Sequence, residues 1–234
     1  MAAKKRTAAE EVVKNHLKLR DFQPLSDNQE RVFNSYYTDK QLLLTGAAGS
    51  GKTFLAVYLA LKEILEGDSN YKELIIVRSA VQSRNLGFTP GSVEEKAKVY
   101  EQVYKGIVDE LFGRSDSYYI LRNKEVIDFQ TTSFLRGTSF NNSIVILDEA
   151  QNCNFTELET VITRIGHNSR IIICGDYRQT DLNGPNDKTG IIKFQNILKT
   201  MYSFDVIEFG IEDVVRSGLV KEYLLASMNY EKNS

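Results

Sequence analysis

Apolar residues in this chain gather in short unbroken runs rather than in alternation. "QLLLTG" (41–46), "LIIVRSA" (74–80), "VIDFQT" (126–131), "IVILDEA" (144–150), "RIIICGD" (170–176) and "DVIEF" (205–209) each read as a strand with both faces covered. Between them lie stretches with helical spacing. These predict helices from Asp27 to about Tyr37, from Lys52 to about Glu66, from Ser92 to about Phe112, over "GIIKFQNIL" (190–198) and over "GLVKEYLLASM" (218–228). Ser92 with Glu95, and Thr156 with Glu159, have the spacing of capping boxes. Leu158, Val161, Ile162 and Ile165 follow the second of these on one helical face, and Gly166 is placed to end that helix. Strands alternating with helices imply an α/β fold with a mostly parallel central sheet.

The 234 residues show no internal repeat and no second composition regime, so residues 23–234 read as one domain. The first 22 residues read as a basic helical arm. Its first twenty carry six Lys or Arg against two Glu, and the plain reading is a solvated helix. The formal net charge of −2 does not advertise a broad grip on duplex DNA. The two cysteines, Cys153 and Cys174, form no zinc or disulfide pattern and read as packing residues, while His16 and His167 stand alone. No apolar run is long enough to cross a membrane, and a cytoplasmic location is expected.

"GAAGSGKT" (46–53) follows a strand and opens a helix, the setting of a phosphate-binding P-loop. Gly46, Ala47, Ala48, Gly49, Ser50 and Gly51 would turn backbone N–H groups toward phosphate oxygens, with the helix N-terminus behind them. Lys52 would neutralise the terminal phosphates, and the Thr53 hydroxyl would ligate Mg²⁺. The fold expected is a P-loop NTPase (RecA-like) three-layer sandwich. In it, a strand next to the P-loop strand ends in an acid that holds Mg²⁺. Asp148 suits that role, and Glu149 is placed to accept a proton from, or to orient, an attacking water. Two acids closing a buried strand are costly, and a cation with a polarised water would offset that cost. Gln179 follows the next strand by three residues, which suits a γ-phosphate sensor.

"DEAQN" (148–152) with "CGDYRQTDL" (174–182) resembles the cores of superfamily 1 helicases. The ordered set of Gln29, "VRSA" (77–80), "LGFTPGSVEEK" (86–96), "FLRGTSFNNSIVILDEAQN" (134–152), "TRIG" (163–166), "GDYRQTDL" (175–182) and "DVVRSGLV" (213–220) resembles the PhoH-like family more closely, from Pro24 almost to the end. It looks like the short, core-only form found in bacteriophages. Ser79 departs from the family, which commonly shows Pro after the Arg. The resemblance implies a Mg²⁺-dependent ATPase, with Gln29 near the adenine; from spacing alone Gln29 is a solvated residue in a first helical turn. It also implies single-stranded RNA or DNA along "RSAVQSRNLGFTPG", where Arg78, Arg84 and Phe88 offer phosphate and stacking contacts, against the plain alternative of a long loop.

Superfamily 1 helicases carry a second core domain that supplies an arginine to the γ-phosphate, for which this sequence has no room. Hydrolysis is slow without one. A homo-oligomer, a hexameric ring by the resemblance, would supply it from a neighbour, with Arg164 and Arg216 as candidates and their roles in cis or in trans left open. As plain alternatives, both are surface ion pairs. Two other functions compete. A thymidine-type nucleoside kinase would want a four-cysteine zinc ribbon, and a non-hydrolytic nucleotide-dependent regulator has no need of Glu149.

Overall fold

The computed structural model describes residues 17–66, 69–79, 93–135, 137, 139–176, 185–215 and 217–232. In chain order the elements are α1 (Asp27–Tyr36), β1 (Gln41–Gly46), α2 (Lys52–Glu66), β2 (Glu73–Arg78), α3 (Val93–Phe112), α4 (Ser117–Asn123), β3 (Ile127–Thr131), β4 (Ser143–Asp148), α5 (Phe155–Ile162), β5 (Arg170–Gly175), α6 (Pro185–Thr200), β6 (Phe204–Phe209) and α7 (Gly218–Lys232). Single 3₁₀ turns at Thr132–Phe134 and Ala150–Asn152 follow β3 and β4.

The six strands form one sheet in the order β3-β2-β4-β5-β1-β6, and every pairing is parallel. Successive side chains of each central strand enter opposite cores. Leu42, Leu44, Ile144, Ile146 and Ile172 pack with α1, α2, α3 and α4, while Leu43, Val145, Leu147, Ile171 and Ile173 pack with α5 and α6. That division explains the unbroken apolar runs, since a strand buried on both faces has no polar side to show. The edge strand β3 does alternate between buried and half-buried positions. The arrangement is the three-layer α/β sandwich expected.

Four expectations need correction. The strand that ends in Asp148 is not beside the P-loop strand, because β5 lies between β4 and β1. Helical crossovers allow either placement, so order along the chain does not dictate order in the sheet. The capping box of α5 is Asn154 with Glu157, not Thr156 with Glu159. Asn154 Oδ1 accepts from Glu157 N at 2.9 Å, and Glu157 Oε2 accepts from Asn154 N at 2.9 Å. That helix stops at Ile162, and Ile165 instead bridges Phe140 in parallel. Gly166 is required by close approach, because a Cβ there would lie 2.6 Å from Phe140 O. Finally, residues 17–22 form no helix. Leu17 is buried in the core, Arg20 N donates to Leu111 O at 2.9 Å, and Phe22 packs edge-on against Phe54.

The short α4 was not foreseen. Its N-cap Asp116 makes no side-chain cap, so packing of buried Tyr118 and Leu121 against α3 has to hold it. The Ser92 cap lies outside the described residues.

Candidate nucleotide site

The site forms at the carboxyl ends of β1, β4 and β5. Gly46, Gly49 and Gly51 have φ of +106°, +79° and +84°, values that favour glycine. Gly46 has a second reason. A Cβ there would come within 2.1 Å of Phe209 O on β6. The turn so made is closed from within: Ser50 Oγ donates to Ala47 O at 2.8 Å. Lys52 Nζ donates to Gly46 O at 2.8 Å, to Ala47 O at 2.7 Å and to Ser50 Oγ at 3.3 Å. Burial lowers the pKa of Lys52, while Cys174, Asp176, Glu149 and Asp148 act the other way. The ammonium thus rests on neutral carbonyls that an anion could replace.

Across from Lys52, β4 delivers the two acids. Asp148, 4% exposed, accepts from Thr53 Oγ1 at 2.7 Å through Oδ1 and from Tyr104 of α3 at 2.8 Å through Oδ2. Glu149 sits in the left-handed region at φ +52°, a conformation that costs a non-glycine residue roughly 1–3 kcal/mol and clusters at functional sites. The kink ends β4 and starts the 3₁₀ turn that brings Gln151 back. Gln151 Nε2 donates to Glu149 Oε2, and Asp176 N donates to Gln151 Oε1 at 3.0 Å. Burial raises the Glu149 pKa and the charge of Asp148 adds to it, against Arg78, Gln151 and Lys52.

Thr53 and Asp148 suit Mg²⁺, since one hydroxyl and one carboxylate present hard oxygens at a single point. Among the described residues no three His, Cys, Asp or Glu side chains gather as a metal cage. A cation here would complete its shell with water and phosphate oxygens, as Mg²⁺ commonly does.

On the other flank, Gln29 is not solvated but 3% exposed. Its Nε2 donates to Ser50 O at 3.0 Å, and its Oε1 accepts from Leu25 N at 2.8 Å. Asp213 accepts from Ser26, Asn28 and Gly210 N, while Val215 N donates to Gly49 O at 3.1 Å. The start of α1 and the segment after β6 therefore bracket the P-loop.

Gln29, the loop 46–51, Lys52, Thr53, Asp148 and Glu149 come together as the sequence suggested. Arg164 does not join them. It follows α5, and its carbonyl accepts from Phe140 N at 2.8 Å, just before β4 begins. That is the amino end of β4, opposite the end that carries Asp148, so Arg164 lies away from its own chain's site. Gln179, Arg216, Arg84 and Phe88 lie outside the described residues.

Arg78 is placed otherwise than on an open loop. It pairs in register with Asp148, stacks on Tyr100 with 4.5 Å from guanidinium carbon to ring centroid, and meets Tyr104. Ser79 Oγ donates to Glu157 Oε1 at 3.2 Å, a bond that a proline could not make; Thr132 donates to the same oxygen. Tyr104 and Gln151 were not assigned from sequence. Tyr100, Tyr104 and Val108 share a helical spacing that reads as core, and nothing in it reveals a hydroxyl aimed at Asp148. Gln151 stands in the acidic motif itself, which was the available signal.

A family model described as PhoH-like protein matches residues 21–227. Curated relatives include a PhoH-like protein of Synechocystis, 35% identical over 196 residues that cover 81% of this chain and 57% of the relative. The PhoH-like protein of Bacillus subtilis is 34% identical over 190 residues (81% and 57%), and Protein PhoH of Escherichia coli K12 is 34% identical over 196 residues (80% and 53%). The chain thus spans little more than half the length of these relatives. A solved helicase domain of Pyrococcus furiosus Hef overlays on 80% of the chain and 39% of its own length, with a TM-score of 0.43 and 12% identity. With the family model spanning nearly all of the chain and the P-loop geometry in place, the chain belongs to the PhoH-like protein family and has a P-loop NTPase core.

Proposed function

We propose that the chain binds ATP with Mg²⁺ and hydrolyses it, coupling hydrolysis to binding or remodelling of single-stranded RNA or DNA. The observation that carries the reading is the meeting of Thr53 with Asp148 across from Lys52, with the Glu149 carboxylate held beside them. A nucleotide-binding regulator needs the first pair; it has no use for a second acid kept in a left-handed turn.

Thr53 and Asp148 would hold Mg²⁺, which would supply positive charge against the charge that builds up during transfer. The protein's own groups do the rest. Lys52 would exchange the carbonyls of Gly46 and Ala47 for phosphate oxygens. Glu149 accepts the proton of the attacking water, a task that its raised pKa favours by making it a stronger base. Gln29, fixed on the P-loop, borders the side where the base of the nucleotide would lie.

Nucleic acid as the track rests on the helicase-like motifs and on family membership, since a net charge of −2 offers no broad basic face. A homo-oligomer, a ring of six by the same resemblance, would bring a neighbour's arginine to the phosphates. The position of Arg164 beside the amino end of β4, away from its own P-loop, supports that use over one in cis.

The test is steady-state ATP hydrolysis by the wild type and by Glu149→Gln, with and without single-stranded RNA and DNA, alongside mass by light scattering. Turnover that collapses in the variant and rises with one polymer supports the reading and identifies the track. Turnover indifferent to both polymers leaves a P-loop ATPase and removes the nucleic-acid role. Phosphate transfer to a nucleoside would favour a kinase instead.

A further inference from the structure

The 3₁₀ turn after β4 places one side chain against the ends of β4 and β5, two of the three strand ends that form the site. Gln151 is 4% exposed, and its planar amide is used on both sides. Oε1 accepts from Asp176 N, at the carboxyl end of β5, at 3.0 Å. A backbone N–H can only donate, so it fixes which end of the amide is the oxygen. The amino end is then turned to Glu149, whose carboxylate can only accept when ionised. The flipped amide would set N–H against N–H and carbonyl against carboxylate. The arrangement is therefore locked from two directions.

Two neighbours fit this use. Glu149 takes φ +52° and thereby leaves the strand, so its side chain lacks the support of the sheet. Gly175 leaves room for the amide: a Cβ there would stand 3.0 Å from Gln151 Oε1, tighter than ordinary contact.

The geometry points to Gln151 as the positioning residue for Glu149, holding its carboxylate in place and tying it to the end of β5. The inference rests on the hydrolytic reading above. Gln151 touches neither nucleotide nor water in this scheme and acts through Glu149. Movement at the end of β5, the strand whose continuation bears Gln179 in the sequence, would reach the acid through this amide.

The experiment compares the wild type, Glu149→Gln, Gln151→Met and Gly175→Ala for ATP turnover and for affinity toward a fluorescent ATP analogue with Mg²⁺. Methionine keeps the length of the side chain and removes both hydrogen bonds. Alanine at position 175 keeps the amide and displaces it, which preserves a test if Gln151→Met does not fold. For Gln151→Met we expect a kcat lower by about tenfold or more, part of the 10²–10⁴ that a general base contributes. Nucleotide affinity should stay within about twofold, so that kcat and affinity separate, and Gly175→Ala should show a smaller change of the same sign. An unchanged kcat in the folded variants, or a kcat lost together with nucleotide affinity, would overturn the proposal. Full activity of Glu149→Gln, or an inactive wild type that still binds the analogue, would overturn the hydrolytic reading itself and the role of Gln151 with it.

Discussion

The hydroxyl of Thr53 donates to Asp148 Oδ1 at 2.7 Å across 95 positions of sequence. One residue lies in the first turn of α2 and the other closes β4, and β5 separates β4 from the P-loop strand β1 in the sheet. Thr53→Ala removes one of two oxygens suited to Mg²⁺. Mg²⁺-dependent turnover should fall by roughly 10–100-fold, while affinity for nucleotide without metal should change little. A magnesium titration of turnover checks this, and an unaltered Mg²⁺ requirement would count against the site.

Tyr104 is buried and gives its hydroxyl proton to the other oxygen of Asp148. Tyr104→Phe leaves that oxygen short of a donor in a dry setting. Bonds to charged acceptors contribute about 1.5–3 kcal/mol, so urea denaturation should show a loss of that order. A variant as stable as the wild type would mean that water or Arg78 replaces the hydroxyl.

Burial and the charge of Asp148 raise the Glu149 pKa above the ordinary glutamate value. A carboxyl so shifted binds its proton more readily when folded. It favours folding at low pH, and that contribution is lost as pH rises through the folded-state value. Glu149→Gln should therefore melt at a higher temperature than the wild type at neutral pH. The gap should close as pH falls toward about 4, near the unperturbed value. Turnover should lose its base over the same acid range. Parallel melting curves between about pH 4 and 8 would sink the assignment.

Two glycines make opposite predictions. Gly46→Ala sets a Cβ 2.1 Å from the Phe209 carbonyl at φ +106° and should cost about 3 kcal/mol or more. Gly106, exposed within α3, has nothing within 4 Å of an added Cβ. Gly106→Ala should stabilise by roughly 0.5–1 kcal/mol. Thermal denaturation of both variants decides the point.

The P-loop, the strand ending in Asp148 and Glu149, and the sandwich around them were legible in the sequence for a local reason. Glycines at positive φ, apolar runs buried on both faces and helix starts are set by residues within a few positions of one another. All six predicted strands agree with the observed bounds to within about two residues, the uncertainty usual at element ends. The fourth, read as 144–150, runs Ser143–Asp148, because Glu149 turns left-handed and ends it early.

Only the folded chain could decide the rest. Placing β5 between β4 and β1 is a choice among crossovers that sequence order leaves open. The burial of Gln29 needs Ser50 opposite it, and Arg78 needs Tyr100 beneath it. The distance of Arg164 from its own site follows from where α5 ends and which loop it meets. Composition and spacing determined which chemistry the chain holds, because backbone turns and strand burial are local. Which side chain steadies each acid was settled by packing, because those partners meet only once the sheet has brought distant segments together.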